Sequence, residues 1–269
     1  MDYVLGEIQK ISNDLKMSSV LVISSFVAGS NVGGSLAMKV LPVFGHEVAL
    51  LPTTMLGRHP GWGAPGGGAV PQEIFAGMAD GLIANQIPQS ADVIITGYFA
   101  SAEQVALAAE LIREHASKAA TVIVDTIMGD FGKGLYVKEE VAEAIVRDLI
   151  PLASLVKGNA WEFWEVERRL GRVDAAPESP RDLKSLACHV KHAPARQGKW
   201  LVTSVEDGAE VGMFGFHERD YGFGGIPRLD AAMLPNGIGD FVTLMLACQP
   251  TASIVSLHDD IASAVGRTG

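Results

Sequence analysis

The stretch Leu234-Pro-Asn-Gly-Ile-Gly-Asp240, followed by Phe241-Val-Thr-Leu-Met-Leu-Ala-Cys248, places a glycine-rich turn directly before an apolar segment of helical character. A helix that begins in this way presents free backbone N–H groups and the positive end of its dipole to an anion. Asp240 stands at the same turn, where its carboxylate could accept a proton. An anion cradle beside a base suits phosphoryl transfer to an alcohol. The turn equally fits an ordinary helix start with Asp240 as the N-cap, so both interpretations stay open.

The length allows one large α/β domain or two small ones, and the composition predicts a folded protein with no nucleic-acid or membrane partner. The chain has 269 residues, of which 48% are hydrophobic and 19% charged, so a large core can be buried. The net charge of -10 argues against a nucleic-acid-binding surface. Neither a signal peptide nor an apolar run of about 18 residues is found. Cys188 and Cys248 are too few for a disulfide framework, so we expect two buried thiols and a cytoplasmic location.

Apolar periodicity predicts alternating strands and helices, and therefore a mostly parallel sheet with helices on both faces. The predicted strands are 18–26, 47–53, 92–97, 121–125, 154–157 and 199–205, followed by a hairpin of 210–216 and 219–226. The predicted helices are 2–16, 35–43, 71–87, 101–117, 138–149, 161–170, 181–192, 241–248 and 254–265. No linker divides the chain, so we expect one domain over 1–269, with residues 1–17 as a helix ahead of the core.

Polar residues recur where the predicted strands end, which is the edge of a parallel sheet that binds ligands. The loop 59–68 contains a GxGxxG match at 61–66. Its prolines and glycine triplet cannot open a helix tightly after a strand, so a dinucleotide site is rejected. The polar strand ends are Ser24 and Ser25, Thr53 and Thr54, Tyr98, Asp125, Asn159, and Thr203 and Ser204.

Seven short motifs occur in a fixed order between residues 18 and 250. They are Ser25-Phe-Val-Ala-Gly-Ser-Asn-Val32-Gly33, His59-Pro-Gly61-Trp62, Gly97-Tyr98, Asp125-Thr-Ile-Met-Gly-Asp130 with Tyr136-Val137, Asn159-Ala-Trp-Glu162, Thr203-Ser204 and Gly237-Ile-Gly239-Asp240. In this order and spacing they resemble the pyridoxal kinase branch of the ribokinase-like superfamily. The resemblance implies a three-layer α/β sandwich with a central, mostly parallel sheet. It also implies a homodimer that uses ATP to phosphorylate the 5′-hydroxyl of pyridoxal, pyridoxine or pyridoxamine, giving pyridoxal 5′-phosphate from pyridoxal.

The resemblance also implies a role for each candidate site residue. Asp240 would be the general base, and the amides of Gly237, Ile238, Gly239 and Asp240 would hold the charge that develops on the transferred phosphoryl group. The vitamer pocket would be lined by Ser25, Val32, His59 and Tyr98. The ATP side would comprise Asp125, Tyr136, Lys157, Asn159, Glu162, Thr203 and Ser204. Mg²⁺ would bridge the phosphates, with Asp125 and Glu162 positioning it through water.

Several positions depart from the family pattern, mostly on the substrate side. They are Phe26 for His, Arg58 for Asn, Pro60 for Thr, Thr126 for Pro and Ile238 for Thr. Lys157 stands where many relatives have a threonine close to a monovalent cation. We hypothesise that its ammonium group takes the place of that cation and pairs with Asp125, which would remove any need for K⁺. A lysine that points to solvent is the simpler alternative.

Three further alternatives remain open. The acceptor could be a sugar or hydroxymethylpyrimidine instead of a B6 vitamer. The chain could be a catalytically weak relative that binds a vitamer or nucleotide, which the changes at Ile238 and Pro60 would explain. Asn159 and Glu162 also fit the N-cap and N3 positions of a capping arrangement, a role that does not exclude positioning a metal ion.

Overall fold

A nine-stranded sheet organises the computed structural model, which describes residues 17–192, 198–218, 220–228 and 237–248. Its spatial order is β11-β10-β9-β8-β5-β4-β1-β2-β3, and β6 pairs with β7 in a separate small sheet. The strands are β1 (Ser19–Val27), β2 (Glu47–Leu56), β3 (Gly67–Ala69), β4 (Val93–Thr96), β5 (Thr121–Asp125), β6 (Gly129–Asp130), β7 (Gly134–Leu135), β8 (Leu155–Asn159), β9 (Lys199–Asp207), β10 (Glu210–His217) and β11 (Asp220–Pro227).

The central strands β2, β1, β4, β5, β8 and β9 are all parallel, as the alternating pattern predicts. Antiparallel pairing is confined to the two sides of the sheet, where β3 joins β2 and the β10–β11 hairpin joins β9. The carboxyl ends of the six central strands therefore meet at one edge. That edge carries the polar residues singled out in the sequence.

The helices divide between the two faces of the sheet. Their bounds are α1 (Gly33–Val40), α2 (Gln72–Ala84), α3 (Ile87–Ser90), α4 (Ala102–His115), α5 (Glu139–Ala144), α6 (Ala160–Arg169), α7 (Leu183–His192) and α8 (Ile238–Cys248). Side-chain alternation along β1 shows the division, because Leu21 and Ile23 join a different apolar cluster from Val20 and Val22. Helices α1 and α8 cover the Val20 face, whereas α2, α4, α5, α6 and α7 cover the other. The predicted three-layer sandwich is confirmed.

Local differences from the sequence predictions have physical causes. The loop predicted at 59–68 contains a short 3₁₀ turn, Pro60–Trp62, and continues into β3. The helix predicted at 71–87 ends at Ala84 because Gln86 adopts a left-handed conformation. The helix predicted at 138–149 is α-helical only to Ala144, after which a π turn carries the chain to Leu149.

Some predicted features fall outside the described residues or differ in exposure. The helices predicted at 2–16 and 254–265 lie outside the ranges that the structure describes. Both cysteines are free thiols, and Cys248 is buried as expected. Cys188 is exposed, because α7 packs on the core through Leu186 and Val190, and Cys188 lies on a different face of the helix. Within the described ranges, no helix is both long and apolar enough to cross a membrane.

Candidate active site

The turn that opens α8 is held tightly against the loop after β1. Gly237 has a φ of +94°, and a Cβ atom there would lie 2.2 Å from the carbonyl oxygen of Asn31. The first intrahelical hydrogen bond runs from the Phe241 amide to the Gly237 carbonyl at 2.8 Å. The amides of Ile238, Gly239 and Asp240 thus lie in the first turn, where a helix has no acceptors of its own to offer them. This end of α8 is suited to an anion.

Asp240 lies partly buried at this turn and accepts a hydrogen bond from the Gly33 amide. Burial, followed by the charge of Asp125, raises the pKa of Asp240 to about 6, although Lys157 and the Gly33 amide act in the opposite direction. A carboxyl group with this pKa is deprotonated at neutral pH and remains basic enough to accept a proton. Gly33 itself has a φ of +52°, and a Cβ atom there would lie 2.5 Å from Ser25 Oγ.

A buried ion pair lies beneath the turn. Lys157 Nζ contacts Asp125 Oδ1 at 3.1 Å and Oδ2 at 3.0 Å, and the Thr243 hydroxyl donates to Asp125 Oδ2 at 2.6 Å. Lys157 is 5% exposed, so the alternative of a solvent-facing lysine is wrong. Burial alone would lower the pKa of Lys157, but the charges of Asp125, Glu162 and Asp240 together raise it. The ammonium group is therefore a permanent positive charge inside the site.

The ammonium group of Lys157 lies close to Gly239 at the start of α8. A Cβ atom built on Gly239 would lie 3.2 Å from Lys157 Nζ, so the ammonium group lies next to the first turn of the helix. The helix dipole and Lys157 thus place positive potential on the same small region. Sequence reasoning missed Thr243; its spacing of three residues from Asp240, on the same side of α8, was the signal that could have found it.

Glu162 ties the start of α6 to the segment that follows β5. It forms a capping box with Asn159, whose side chain accepts from the Glu162 amide at 2.9 Å. Burial, and then the charge of Asp125, raises the pKa of Glu162. Its carboxylate accepts four hydrogen bonds, from the amides of Met128 (2.8 Å), Gly129 (3.3 Å) and Asn159 (2.8 Å) and from the Thr126 hydroxyl (3.2 Å).

These contacts limit how a metal ion could bind. Glu162 has its oxygens occupied by four donors, and Asp125 has its own engaged by Lys157 and Thr243. In the described part of the chain, no group of three or more His, Cys, Asp or Glu side chains could hold a metal ion. The site therefore does not fit a resident ion.

We predict that Glu162→Gln destabilises the fold by about 1 to 3 kcal/mol. Both oxygens of Glu162 accept hydrogen bonds, so the NH₂ group of the glutamine side chain would face a donor and leave it without an acceptor. Urea unfolding measures the loss. Glu110→Gln, on the exposed surface of α4, is the matched control and should leave stability unchanged. Equal stability of the Glu162→Gln variant and the unmodified protein would show that these hydrogen bonds are not needed.

Three of the four vitamer-side candidates converge near the turn. Ser25 is buried at the end of β1, and Val32 precedes α1 with Cγ1 3.5 Å from a Cβ position built on Gly237. The Tyr98 amide donates to Ser24 Oγ at 3.2 Å, and its carbonyl accepts from the Thr53 hydroxyl at 2.6 Å. Burial raises the pKa of the Tyr98 phenol. Hydrogen bonds thus connect Tyr98, which follows β4, to Ser24 of β1 and Thr53 of β2.

His59 lies in its own compact loop beside this group. Its Nδ1 accepts from the Gly61 amide at 3.1 Å, and its ring centroid is 5.7 Å from that of Trp62. The loop is attached to the segment after β1 through the Gly29 amide, which donates to the Gly57 carbonyl at 2.9 Å. The contacts that the structure gives His59 are therefore with Gly61 and the half-exposed Trp62 of its own loop.

A cavity of about 20 Å³ lies behind Asp240, large enough for a single water molecule. Polar side chains of Ser24, Asp125, Asp240 and Thr243 line it. The remaining lining residues are Val22, Gly33, Ala37, Ile95, Gly97, Ile127 and Leu244.

The ATP-side candidates lie on the other side of Lys157. Thr203 is in register with Asn159, and its hydroxyl donates to the Gly158 carbonyl at 3.4 Å. Ser204 follows it within β9 and is exposed. Tyr136 is about half exposed, and partial burial together with the charges of Glu162, Asp125, Asp130 and Asp240 raises its pKa. These residues flank the acidic centre from the side opposite Ser25 and Tyr98.

The three-layer sandwich, with its mostly parallel sheet and a helix that begins at the carboxyl edge of the strands, is a ribokinase-like fold. No protein-family model matches the chain. It is 34% identical over 167 residues to a pyridoxine/pyridoxal/pyridoxamine kinase of Bordetella avium, a match that covers 61% of this chain and 56% of the relative. It is 29% identical over 205 residues to a pyridoxal kinase of Arabidopsis thaliana, which covers 76% and 63% of the two chains. The matched region is thus less than two thirds of either relative.

The similarity extends over more of the chain in three dimensions. The crystal structure of pyridoxal kinase from Entamoeba histolytica matches with a TM-score of 0.74 and 25% identity, covering 94% of this chain and 88% of that one. The chain has the ribokinase-like fold, and the relatives and solved structures that it matches include several pyridoxal kinases.

Proposed function

We propose that this protein transfers the γ-phosphoryl group of ATP to the 5′-hydroxyl of a B6 vitamer: pyridoxal, pyridoxine or pyridoxamine. The observation that carries the proposal is the position of Asp240. It is a carboxylate with a pKa of about 6, at the amino end of α8 and next to the buried Lys157–Asp125 pair. Its matched relatives carry the names of kinases for these vitamers, which supports this acceptor class.

Each part of the centre has a task in this reaction. Asp240 accepts the proton of the acceptor hydroxyl as the oxygen attacks the phosphorus atom. The amides of the turn, from Gly237 to Asp240, donate to the oxygens of the transferred group, where charge develops. Lys157 adds a fixed positive charge next to the same turn. Ser25, Val32, His59 and Tyr98 hold the vitamer so that its hydroxyl faces Asp240.

The nucleotide would lie at the ends of β8 and β9. Asn159, Thr203, Ser204 and Tyr136 line this region beside the carboxylates of Asp125 and Glu162. A polyanion approaching several carboxylates is repelled unless its charge is neutralised, and Mg²⁺ bound to the phosphates supplies that neutralisation. Because the protein carboxylates are already hydrogen-bonded, Asp125 and Glu162 would act on the ion only through its water ligands.

The ion pair also bears on monovalent cations. Lys157 places an ammonium group against Asp125, in contact distance of both carboxylate oxygens. We propose that this group takes the place of a bound monovalent cation, so that activity does not depend on K⁺. From the family resemblance we also propose that the protein is a homodimer. From its two free thiols we propose a reducing, cytoplasmic location.

A coupled ATP-consumption assay with a panel of acceptors tests the function. The panel contains pyridoxal, pyridoxine, pyridoxamine, hydroxymethylpyrimidine and ribose. We expect turnover with at least one B6 vitamer and much weaker turnover with ribose. Turnover restricted to hydroxymethylpyrimidine or ribose would preserve the kinase class and reject the vitamer. No turnover with any of the five would reject the proposal.

The pKa of Asp240 predicts how the activity depends on pH. Protonated Asp240 cannot accept the hydroxyl proton, so kcat/KM should fall about tenfold per pH unit below about 6 and level off above it. Rates measured from pH 5 to pH 8 with a saturating nucleotide give the profile. The residual activity of Asp240→Asn should lack this inflection, and an unchanged inflection in that variant would assign it to another group.

A further inference from the structure

Strand β9 contains an unfavourable backbone conformation at a non-glycine residue. The register of β9 and β10 pairs Gly212 with Val205 and Met213 with Thr203, so Ser204 is the extra residue of a β-bulge. Ser204 has a φ of +62°, which lies in the left-handed region that residues other than glycine rarely adopt. Such a conformation persists only where surrounding contacts enforce it, and functional sites are where it concentrates.

Arg181 supplies those contacts from the segment before α7. Its Nε donates to the Ser204 carbonyl at 3.2 Å, and its Nη2 lies 2.8 Å from Glu206 Oε1. The backbone is fastened as well, because the Glu206 amide donates to the Arg181 carbonyl at 2.7 Å and Asp182 forms a parallel bridge with Glu206. One arginine therefore spans the bulge from Ser204 to Glu206.

The bulge directly follows the part of β9 that borders the site. Thr203 is opposite Asn159 and bonds to the Gly158 carbonyl, and Gly158 is adjacent to Lys157. Ser204 and its carbonyl lie at the same edge, on the side of Lys157 away from Ser25 and Tyr98. A ligand bound at this edge would contact the backbone of Ser204, whose conformation Arg181 stabilises.

We infer that Arg181 is a positioning residue for the nucleotide: it holds the Ser204 bulge in the conformation that accepts ATP. The inference rests on the proposed function, which places the nucleotide at the ends of β8 and β9. Arg181 acts through the backbone of Ser204 and takes no part in the chemical step. Its loss should therefore weaken nucleotide binding selectively.

The test compares four variants of the full chain. Arg181→Met should raise KM for ATP about tenfold, the loss expected for one charge-assisted hydrogen bond, while KM for pyridoxal and kcat change less than about twofold. Arg228→Met is the matched control. It removes the other arginine on Glu206, at 2.8 Å, without touching Ser204, and should leave KM for ATP unchanged. Because Ser204 itself lines the nucleotide region, Ser204→Gly is measured alone and together with Arg181→Met. Glycine adopts a positive φ without help, so adding Arg181→Met to Ser204→Gly should change KM for ATP less than about twofold.

The outcomes separate this inference from the proposed function. An unchanged KM for ATP in Arg181→Met would overturn the inference. So would an equal rise in Arg228→Met, or a tenfold rise when Arg181→Met is added to Ser204→Gly. If the unmodified protein transfers no phosphate at all, the proposed function fails. Calorimetric titration with ATP then decides the inference: weaker binding by Arg181→Met alone supports it, and equal binding overturns it.

Discussion

Replacing Asp240 by asparagine is expected to lower kcat for vitamer phosphorylation by a factor of about 10² to 10⁴, the usual contribution of a positioned general base. Asparagine keeps the shape of the side chain and can still accept the hydrogen bond from the Gly33 amide. Folding and ligand binding should therefore persist. The loss falls on kcat because proton acceptance matters only as the hydroxyl oxygen attacks.

Steady-state rates and calorimetric affinities for ATP and pyridoxal, measured on the same preparations, check this result. Asp207→Asn is the matched control, because it makes the same chemical change at the last residue of β9, away from the site, and it should keep full activity. A catalytically weak binding protein would hardly respond to Asp240→Asn. A variant that retains more than about a tenth of the original kcat would remove Asp240 from the role of base.

Lys157→Met is expected to destabilise the protein by about 3 to 5 kcal/mol, because it leaves the buried Asp125 carboxylate without its counter-charge. Activity should fall with it, since the positive charge next to Gly239 disappears. The double variant Lys157→Met with Asp125→Asn should recover much of the stability, because no unpaired charge is then buried. Urea unfolding of the single and double variants measures both effects.

Two comparisons sharpen this prediction. Lys138→Met removes an exposed lysine whose ion pair with Glu140 spans 3.8 Å, and it should change stability by no more than about 0.5 kcal/mol.

The unmodified protein should keep its activity when K⁺ is replaced by tetramethylammonium. Loss of most activity on that replacement would contradict the proposed role of Lys157 in place of a monovalent cation. A Lys157→Met variant as stable as the unmodified protein would contradict the importance of the ion pair.

The sheet and the edge that carries the site were predictable from local pattern. Apolar strands that alternate with amphipathic helices leave little choice besides a parallel sheet, and β5 has the predicted bounds of 121–125. The polar residues after those strands, such as Asp125 and Asn159, had to meet at one edge. The capping box of Asn159 and Glu162 was also readable from their spacing.

Features that depend on contacts distant in the sequence were not predictable in the same way. Thr243 is 118 residues from Asp125, its hydrogen-bond partner, and looks in sequence like one polar residue of an apolar helix. The bulge at Ser204 arises from the register with β10 and from Arg181, which no local pattern encodes. Strands β6 and β7 have two residues each, which is too short for an alternating pattern to show in the sequence.

The most direct test of the central claim is identification of the product. Incubation of the purified protein with ATP, Mg²⁺ and pyridoxal, followed by mass spectrometry and phosphorus NMR, should reveal pyridoxal 5′-phosphate. It should form in the same molar amount as ADP, and Asp240→Asn should yield almost none in the same time. ADP released without a phosphorylated vitamer, or equal product from both proteins, would contradict the account.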